Sequence, residues 1–440
     1  MHPTTLRSAA AFALLTLVAA PSHAAGFDAG NTAWVIVASA FVLFMMIPGL
    51  ALFYGGLVRT KNVLSVLMHC IALTAVGSVI WLACGYSLAF GTTGMEKGVV
   101  NLHSFVGTLD KAFLRGLTVD SAWGSIPEAV FFVFQLTFAV ITPGLIVGAF
   151  AERMKFSAML LFSALWMLLV YVPVAHMVWG GDGGFFWDRG VYDFAGGIVV
   201  HLTAGIAALI ACIAVGPRLG YGRTAMLPHN LTMCFTGTGM LWVGWFGFNG
   251  GSALAADGNA AMAVLVTQIS GATAATTWMA IEWIKRKPSV LGIATGAVAG
   301  LAAVTPASGY IGPFGGFAIG LAAGVVCYYA ATALKQRFGY DDSLDVFGVH
   351  GVGGLLGTLL AAVFAAPAFG GKGLPDPAAY SIGGQLATQL GACLAVGLYT
   401  AVVSWALLKG IGATLGLRVD PESETRGLDL SQHDEAGYNS

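Results

Sequence analysis

This chain is short of charge. Only 9% of its 440 residues are Asp, Glu, Lys or Arg, against 57% that are hydrophobic, and its 20 basic and 21 acidic residues leave a net charge of -1. A soluble chain of this length would divide into about three domains, whereas one this apolar is a membrane protein. Its balanced charge offers no basic surface to nucleic acid. The six cysteines (Cys70, Cys84, Cys212, Cys234, Cys327 and Cys393) all lie in apolar runs, with no C-x-x-C and no close Cys/His cluster. They read as small core residues, neither disulfides nor metal ligands. There is no H-E-x-x-H, which argues against a metallohydrolase built on the intramembrane histidines. No Thr-Val-Gly-Tyr-Gly filter and no strip of acids along a span is present either, which disfavours a potassium filter or a wide cation pore. No cofactor and no metal is expected.

What the chain has is glycine and long apolar runs. Its 61 glycines suit a helical bundle in which small residues let backbones approach closely. Arg7, the apolar run Ala9 to Ala20 and then Pro21-Ser-His-Ala24 have the three regions of a secretory signal. That run is short of the roughly 20 residues a span needs, so residues 1–24 are expected to be removed, leaving the mature N-terminus outside. Spans are expected near residues 32–58, 62–90, 125–150, 155–178, 195–215, 229–250, 261–284, 289–304, 310–334, 347–366 and 382–408. The fold class is therefore an all-α polytopic membrane protein with eleven transmembrane helices.

Basic residues test the orientation, because they crowd cytoplasmic loops. With the N-terminus outside, the inner loops and tail hold Arg59, Lys61, Arg153, Lys155, Arg218, Arg223, Lys285, Arg286, Lys287, Lys335, Arg337, Lys409, Arg418 and Arg426. The outer loops hold Lys97, Lys111, Arg115, Arg189 and Lys372, so the tally is 14 against 5. The C-terminus, residues 411–440, is then cytoplasmic.

Two stretches echo each other. Asp193-Phe-Ala-Gly-Gly-Ile-Val-Val-His201 opens the fifth span, and Asp345-Val-Phe-Gly-Val-His-Gly-Val-Gly-Gly354 opens the tenth. Each half then holds five spans, about 32–215 and 229–366, and the second half is inverted relative to the first, with residues 382–408 as a last helix. Inverted repeats place their shared site near the bilayer midplane. At about 1.5 Å rise per residue, His201 lies roughly 10 Å in from one face and His350 somewhat less from the other, so the two imidazoles are expected to meet. A histidine inside hydrocarbon marks a functional site by default. Asp193 and Asp345 are expected to cap the two helices.

Span three carries Phe131, Phe132, Phe134, Gln135 and Phe138, Trp179 ends span four, and Ser252 follows span six. Most such rings are interfacial anchors, but a subset suits a cage for a small cation, where each ring face contributes about 0.5 to 2 kcal/mol, and the Ser252 hydroxyl could supply an acceptor. Glu128 is expected to be solvated, and Glu282 with Lys285 and Arg286 reads as a helix-end charge pair. The tail from Leu417, with Asp420, Glu422, Glu424, Asp429, Asp434 and Glu435, is expected to be solvated or to fold on a partner.

With these motifs in hand, the sequence resembles the Amt/Mep/Rh family of ammonium transporters, the bacterial Amt proteins in particular, from about Asp28 to Ser440. The motifs that carry the resemblance are Ile47-Pro-Gly-Leu-Ala-Leu-Phe-Tyr-Gly-Gly-Leu57, Asp193-Phe-Ala-Gly-Gly197 with His201, Gly244-Trp-Phe-Gly-Phe-Asn-Gly-Gly-Ser252, Thr305-Pro-Ala-Ser-Gly-Tyr310 and Asp345-Val-Phe-Gly-Val-His-Gly351. The resemblance implies a homotrimer in the inner membrane with one narrow pore per subunit for nitrogen uptake as ammonium or ammonia. It implies a recruitment site of Trp179, Phe134 or Phe138, and Ser252, with Asp193 nearby; a gate of Phe138 and Phe248; pore histidines at His201 and His350; and Thr305 near the outer vestibule. The tail, with Gly416-Leu-Arg-Val419, Gly427-Leu-Asp429, His433 and Tyr438-Asn439, resembles Amt tails that dock a PII signalling protein. The stretch from Gly181 to Tyr192, with Trp187-Asp-Arg-Gly190, departs from the family pattern. An ammonium sensor acting through the C-terminal tail is the alternative.

Overall fold

The computed structural model describes residues 26–438, so the expected signal at residues 1–24 lies outside the described residues. Among the described residues, nine helices are long and apolar enough to cross a bilayer. They are α1 (Ala29–Leu57), α2 (Thr60–Phe90), α3 (Glu128–Phe150), α4 (Phe156–Trp179), α5 (Gly197–Val215), α7 (Gly258–Lys285), α9 (Pro313–Phe338), α10 (Phe347–Phe364) and α11 (Ile382–Thr414). Two more, α6 (Leu231–Gly251) and the shorter α8 (Val290–Val304), complete the expected eleven. Asn249 and the glycines and threonines of α6 dilute its apolar character. Helix starts follow local chemistry, because side-chain oxygens accept the otherwise orphaned first N–H groups: Asn230 caps α6, Asp257 caps α7, Ser289 caps α8 and Ser381 caps α11.

The two halves meet where α5 crosses α10, and the glycines four residues beyond each histidine make the crossing possible. A Cβ at Gly205 would fall on the backbone of Gly351, and one at Gly354 would sit 2.7 Å from the Gly197 carbonyl oxygen and 2.8 Å from His201 Cβ. Each helix thus presses its histidine turn against the glycine of the other, the relation an inverted repeat requires.

The capping acids correct one expectation. Asp193 accepts the backbone N–H groups of Gly196, Gly197, Ile198 and Val199 at 2.5 to 2.9 Å and so caps α5. Its counterpart is Asp342, whose Oδ2 accepts the N–H of Phe347 at 2.7 Å. Asp345 instead has a φ of +60° and forms an ion pair with Lys335 at 2.7 Å. The repeat is therefore acid, seven residues, histidine, in both halves: 193 to 201 and 342 to 350.

The long connection of residues 91–127 lies at one end of the bundle, called here the loop end, and closes in a hairpin of β1 (Ala122–Trp123) and β2 (Ile126–Pro127). Glu128, expected to be solvated, is 8% exposed. It accepts a hydrogen bond from the Tyr86 hydroxyl at 2.7 Å and forms an ion pair with Lys111 of that connection. The apolar surroundings leave its carboxylate no alternative but a bonded partner.

At the opposite end the tail is neither solvated nor loose. It folds as α12 (Pro421–Arg426) and α13 (Leu428–His433) against the short connections of the first half. Asp429 accepts the N–H groups of Leu64 and Ser65 at 3.0 and 2.7 Å, while Asn62 Oδ1 accepts the N–H of Leu428 at 2.8 Å. Glu424 takes Arg418 and the N–H of Leu219, and the His433 ring meets Phe156 edge-on at 5.0 Å. Tail carboxylates therefore do the capping that the loops at this end do not supply for themselves.

Candidate functional site

On α3, Phe131, Gln135 and Phe138 recur at helical spacing and face a cavity of about 330 Å³ at the loop end. Trp179 from the end of α4, Asp193, Ser252 and Tyr310 complete its walls, and Trp187, from the stretch that departs from the family pattern, stands at its rim half-exposed. The Trp179 indole N–H donates to the Asp193 carbonyl oxygen at 2.8 Å, which fixes the ring on edge to Phe138, centroids 5.9 Å apart. The Ser252 hydroxyl donates to the Phe248 carbonyl oxygen at 2.8 Å, and among the described residues nothing donates to it. Phe134, one of the two expected ring candidates, is not among the cavity residues; it packs behind Phe138 at 5.0 Å and against Gly251. Trp123, stacked on Phe131 at 4.0 Å, and Phe90 take wall positions that the motifs alone did not single out.

Phe138 of this cavity and Phe248 lie ring to ring, centroids 4.2 Å apart and planes tilted by 32°. Below them is a space of only about 10 Å³, walled by Leu50, Ile141, Leu145, Trp245 and Val298, with His201 and His350. That is room for about one water. His201 Nδ1 and His350 Nδ1 are 3.2 Å apart, in hydrogen-bond contact, with nearly parallel rings. One ring of the pair must therefore carry its proton on Nδ1 and the other must not. His201 Nε2 is buried with no hydrogen-bond partner among the described residues. His201 is backed by Trp245, whose indole N–H donates to Thr305 Oγ1 at 2.9 Å. Thr305, expected near the vestibule, is fully buried and is not among the residues of that cavity; what it touches is the Trp245 indole.

His350 also borders a third cavity, about 260 Å³, at the tail end, together with Trp278, Glu282, Arg218 and Asp345. Glu282 is more than half of a charge pair: nearly fully buried, it accepts from Arg286 at 2.8 Å and from the N–H and hydroxyl of Ser289, the α8 cap. Lys285 lies instead over the rings of Tyr328 and Tyr329. Among the described residues no cluster of three or more His, Cys, Asp or Glu could hold a metal ion.

The model of the ammonium transporter family matches residues 33–438. The chain belongs to that family. An ammonium transporter of Bacillus subtilis is 44% identical over 402 residues, 91% of this chain and 96% of that one, and one of Aquifex aeolicus is 44% identical over 418 residues, 94% and 95%. Among solved structures, a sensor Amt protein superposes with a TM-score of 0.83 at 28% identity, covering 92% of this chain and 98% of that one. Mep2 of Saccharomyces cerevisiae superposes at 0.79 and 34% identity, covering 90% and 89%. As a family member the chain is a multi-pass membrane protein, and the eleven-helix architecture is shared with these neighbours.

Proposed function

We propose that this chain takes up ammonium nitrogen across the inner membrane, with no chemistry performed on the nitrogen beyond loss and regain of a proton. In this reading the loop end faces outward, as the 14 to 5 distribution of basic residues supports, the signal is removed, and the tail end faces the cytoplasm. Three copies assemble, each with its own pore. Ammonium docks against Trp179 and Phe138 beside Ser252, with Asp193 holding the wall that carries them. It sheds its proton, and ammonia passes the Phe138 and Phe248 rings and then His201 and His350. The observation that carries this is a series of three cavities that border one another, two roomy and polar-edged, separated by the Phe138 and Phe248 rings and by a nearly dry space whose polar groups are two bonded imidazoles, one of which, His350, also borders the tail-end cavity. A bare cation in such a space costs several kcal/mol, so crossing as the neutral molecule is the cheaper route. Imidazoles, donor on one nitrogen and acceptor on the other, can hand ammonia along.

The docked tail supports a further part of the reading: residues 411–440 are regulatory, and a PII-type protein binds at that end. One observation favours a sensor as the second reading, since the structural neighbour with a TM-score of 0.83 is described as a sensor. The test is reconstitution in liposomes, recording internal pH and current after an ammonium jump. Ammonium-dependent flux is expected, and replacing both His201 and His350 with leucine should abolish its selectivity. No flux, with ammonium-dependent protection of the tail, would establish the sensor; unchanged selective flux in the double variant would refute the role of the histidines.

A further inference from the structure

The rim of the loop-end cavity carries an aromatic ring that the recruitment site described above does not use. Trp187 lines the same cavity as Phe138 and Trp179 yet stands half-exposed, so part of its ring is open to water. Its neighbours fix it in place. The indole N–H donates to Asp182 Oδ1 at 3.2 Å, and Asp182 is paired with Lys97 of the long connection at 3.3 Å. Asp188, the next residue, accepts the N–H groups of Gly98 and Gly183 at 2.7 and 2.9 Å, and the N–H of Phe185 donates to the Ser104 carbonyl oxygen. The turn that presents Trp187 is thus tied to the long connection on both sides, which limits the ordering cost of binding.

The protein's own cations leave its face open. Arg189, two residues on, lies over the Phe185 ring, 3.7 Å from its centroid, and among the described residues no Lys or Arg covers Trp187. Most half-exposed tryptophans of a membrane protein are interfacial anchors. An anchor turns its ring toward lipid headgroups, whereas this one borders a cavity already walled by Trp179, Phe138 and Ser252. Its hydrogen bond adds a second argument. A carboxylate accepting the indole N–H leaves the ring more electron-rich, and so a better partner for a cation, than Trp179, whose N–H is bonded to a neutral carbonyl oxygen.

We propose that Trp187 is an outer cation-binding face of the vestibule, one that captures ammonium or an N-alkylated ammonium at the water side before it reaches Trp179. This rests on the reading that the vestibule recruits ammonium. A half-exposed ring face has room for methyl groups and imposes no N–H geometry, so it sets how readily a cation is captured. Passage through the Phe138 and Phe248 rings is left unaltered.

The test uses the full chain in proteoliposomes, measuring the concentration dependence of labelled methylammonium uptake with ammonium chloride as competitor. Trp187→Ala is expected to raise KM for methylammonium and the inhibition constant for ammonium about two- to fivefold, the loss of one partly exposed ring face, with the maximal rate unchanged. Trp187→Phe, which keeps a ring but has no N–H for Asp182, should recover at least half of the lost affinity. Unchanged constants in Trp187→Ala overturn the proposal. So does a rise that Trp187→Phe shares in full, because it would place the effect in the bond to Asp182 and the shape of the turn. Trp187→Leu, which keeps apolar bulk, repeats the test should the alanine variant fail to assemble. Trp179→Leu separates the two levels. If it leaves both constants unchanged, the vestibule reading fails and this proposal with it; if it raises them and Trp187→Ala does not, only the role of Trp187 fails.

Discussion

Adding one methyl group at Gly354 tests whether the histidine pair is held by the crossing of α5 and α10. The new Cβ would lie 2.8 Å from His201 Cβ and 2.7 Å from the Gly197 carbonyl oxygen, where carbon atoms in contact rest at about 3.5 to 4.0 Å. Relief requires the two helices to part by about 1 Å. If that shift falls between them, the Nδ1 to Nδ1 distance grows from 3.2 Å toward about 4 Å, beyond hydrogen-bond range. The obstacle is backbone and a Cβ, not the end of a flexible side chain, so the expected destabilisation is about 1 to 3 kcal/mol. Gly205→Ala should be worse, since its Cβ would meet the Gly351 backbone directly. Gly391→Ala on α11, with nothing within 4 Å of the added atom, is the control and should be neutral or slightly stabilising. Thermal unfolding in detergent and ammonium-evoked current in proteoliposomes read the two consequences. Wild-type current, selectivity and melting temperature in Gly354→Ala would show that the crossing does not set the pair.

Three further outcomes follow from the ends of the bundle. Asp429→Ala removes the acceptor for the N–H groups of Leu64 and Ser65 at a cost of about 1 to 3 kcal/mol; hydrogen exchange at those amides and proteolysis beyond Gly427 should both accelerate, and unchanged protection would show that the tail is held elsewhere. Glu128→Gln should free the 91–127 connection from its Lys111 ion pair and lower the melting temperature by a few degrees, with proteolysis of that connection as the readout. The third concerns acid. Burial alone would raise Asp341 and Glu152, but Arg218 bonded to Asp341, and Arg59 and Arg218 bonded to Glu152, outweigh it and hold both below the usual carboxylate range. A carboxylate with a depressed folded-state pKa contributes stability that is present above its unfolded pKa and lost as pH falls through the folded value, so the tail end should loosen below about pH 4. Asp341→Asn should remove part of that acid dependence, and an unaltered profile would count against the network.

The fold was largely legible because a bilayer leaves few alternatives: backbone polar groups must be satisfied within each span, and eleven apolar runs could only be eleven helices. Span ends slipped where the cue was polar and the consequence three-dimensional. Glu128 reads as a solvated helix start until Lys111 and Tyr86, 17 and 42 residues away, come to meet it. The tail reads as solvent-loving because its carboxylates are numerous, yet Glu424 and Asp429 serve as caps for N–H groups on other segments, and no local pattern announces a cap supplied in trans. Phe134 and Phe131 differ by less than one turn of α3, and the direction in which that helix faces decides which reaches the cavity.

The misassigned acid of the second half shows what kind of signal was overlooked. Matching Asp345 to Asp193 followed resemblance of neighbouring letters, an acid before a glycine-containing run, and ignored distance along the chain. Capping is a matter of distance: a carboxylate reaches the first free N–H groups of a helix only from a fixed place before it, and a histidine at a fixed depth then fixes the count between them. Asp193 to His201 and Asp342 to His350 obey the same interval, whereas Asp345 to His350 is three residues too short and uses its carboxylate on Lys335. The glycines four residues past each histidine, 205 and 354, continue the same register. An acid, a histidine and a glycine at intervals of eight and four, found twice, is thus a pattern with a mechanical cause at every position. Cap, buried imidazole and crossing point are set by one helix geometry, and shifting any of the three in one half should break the pairing of the imidazoles even with the other half intact.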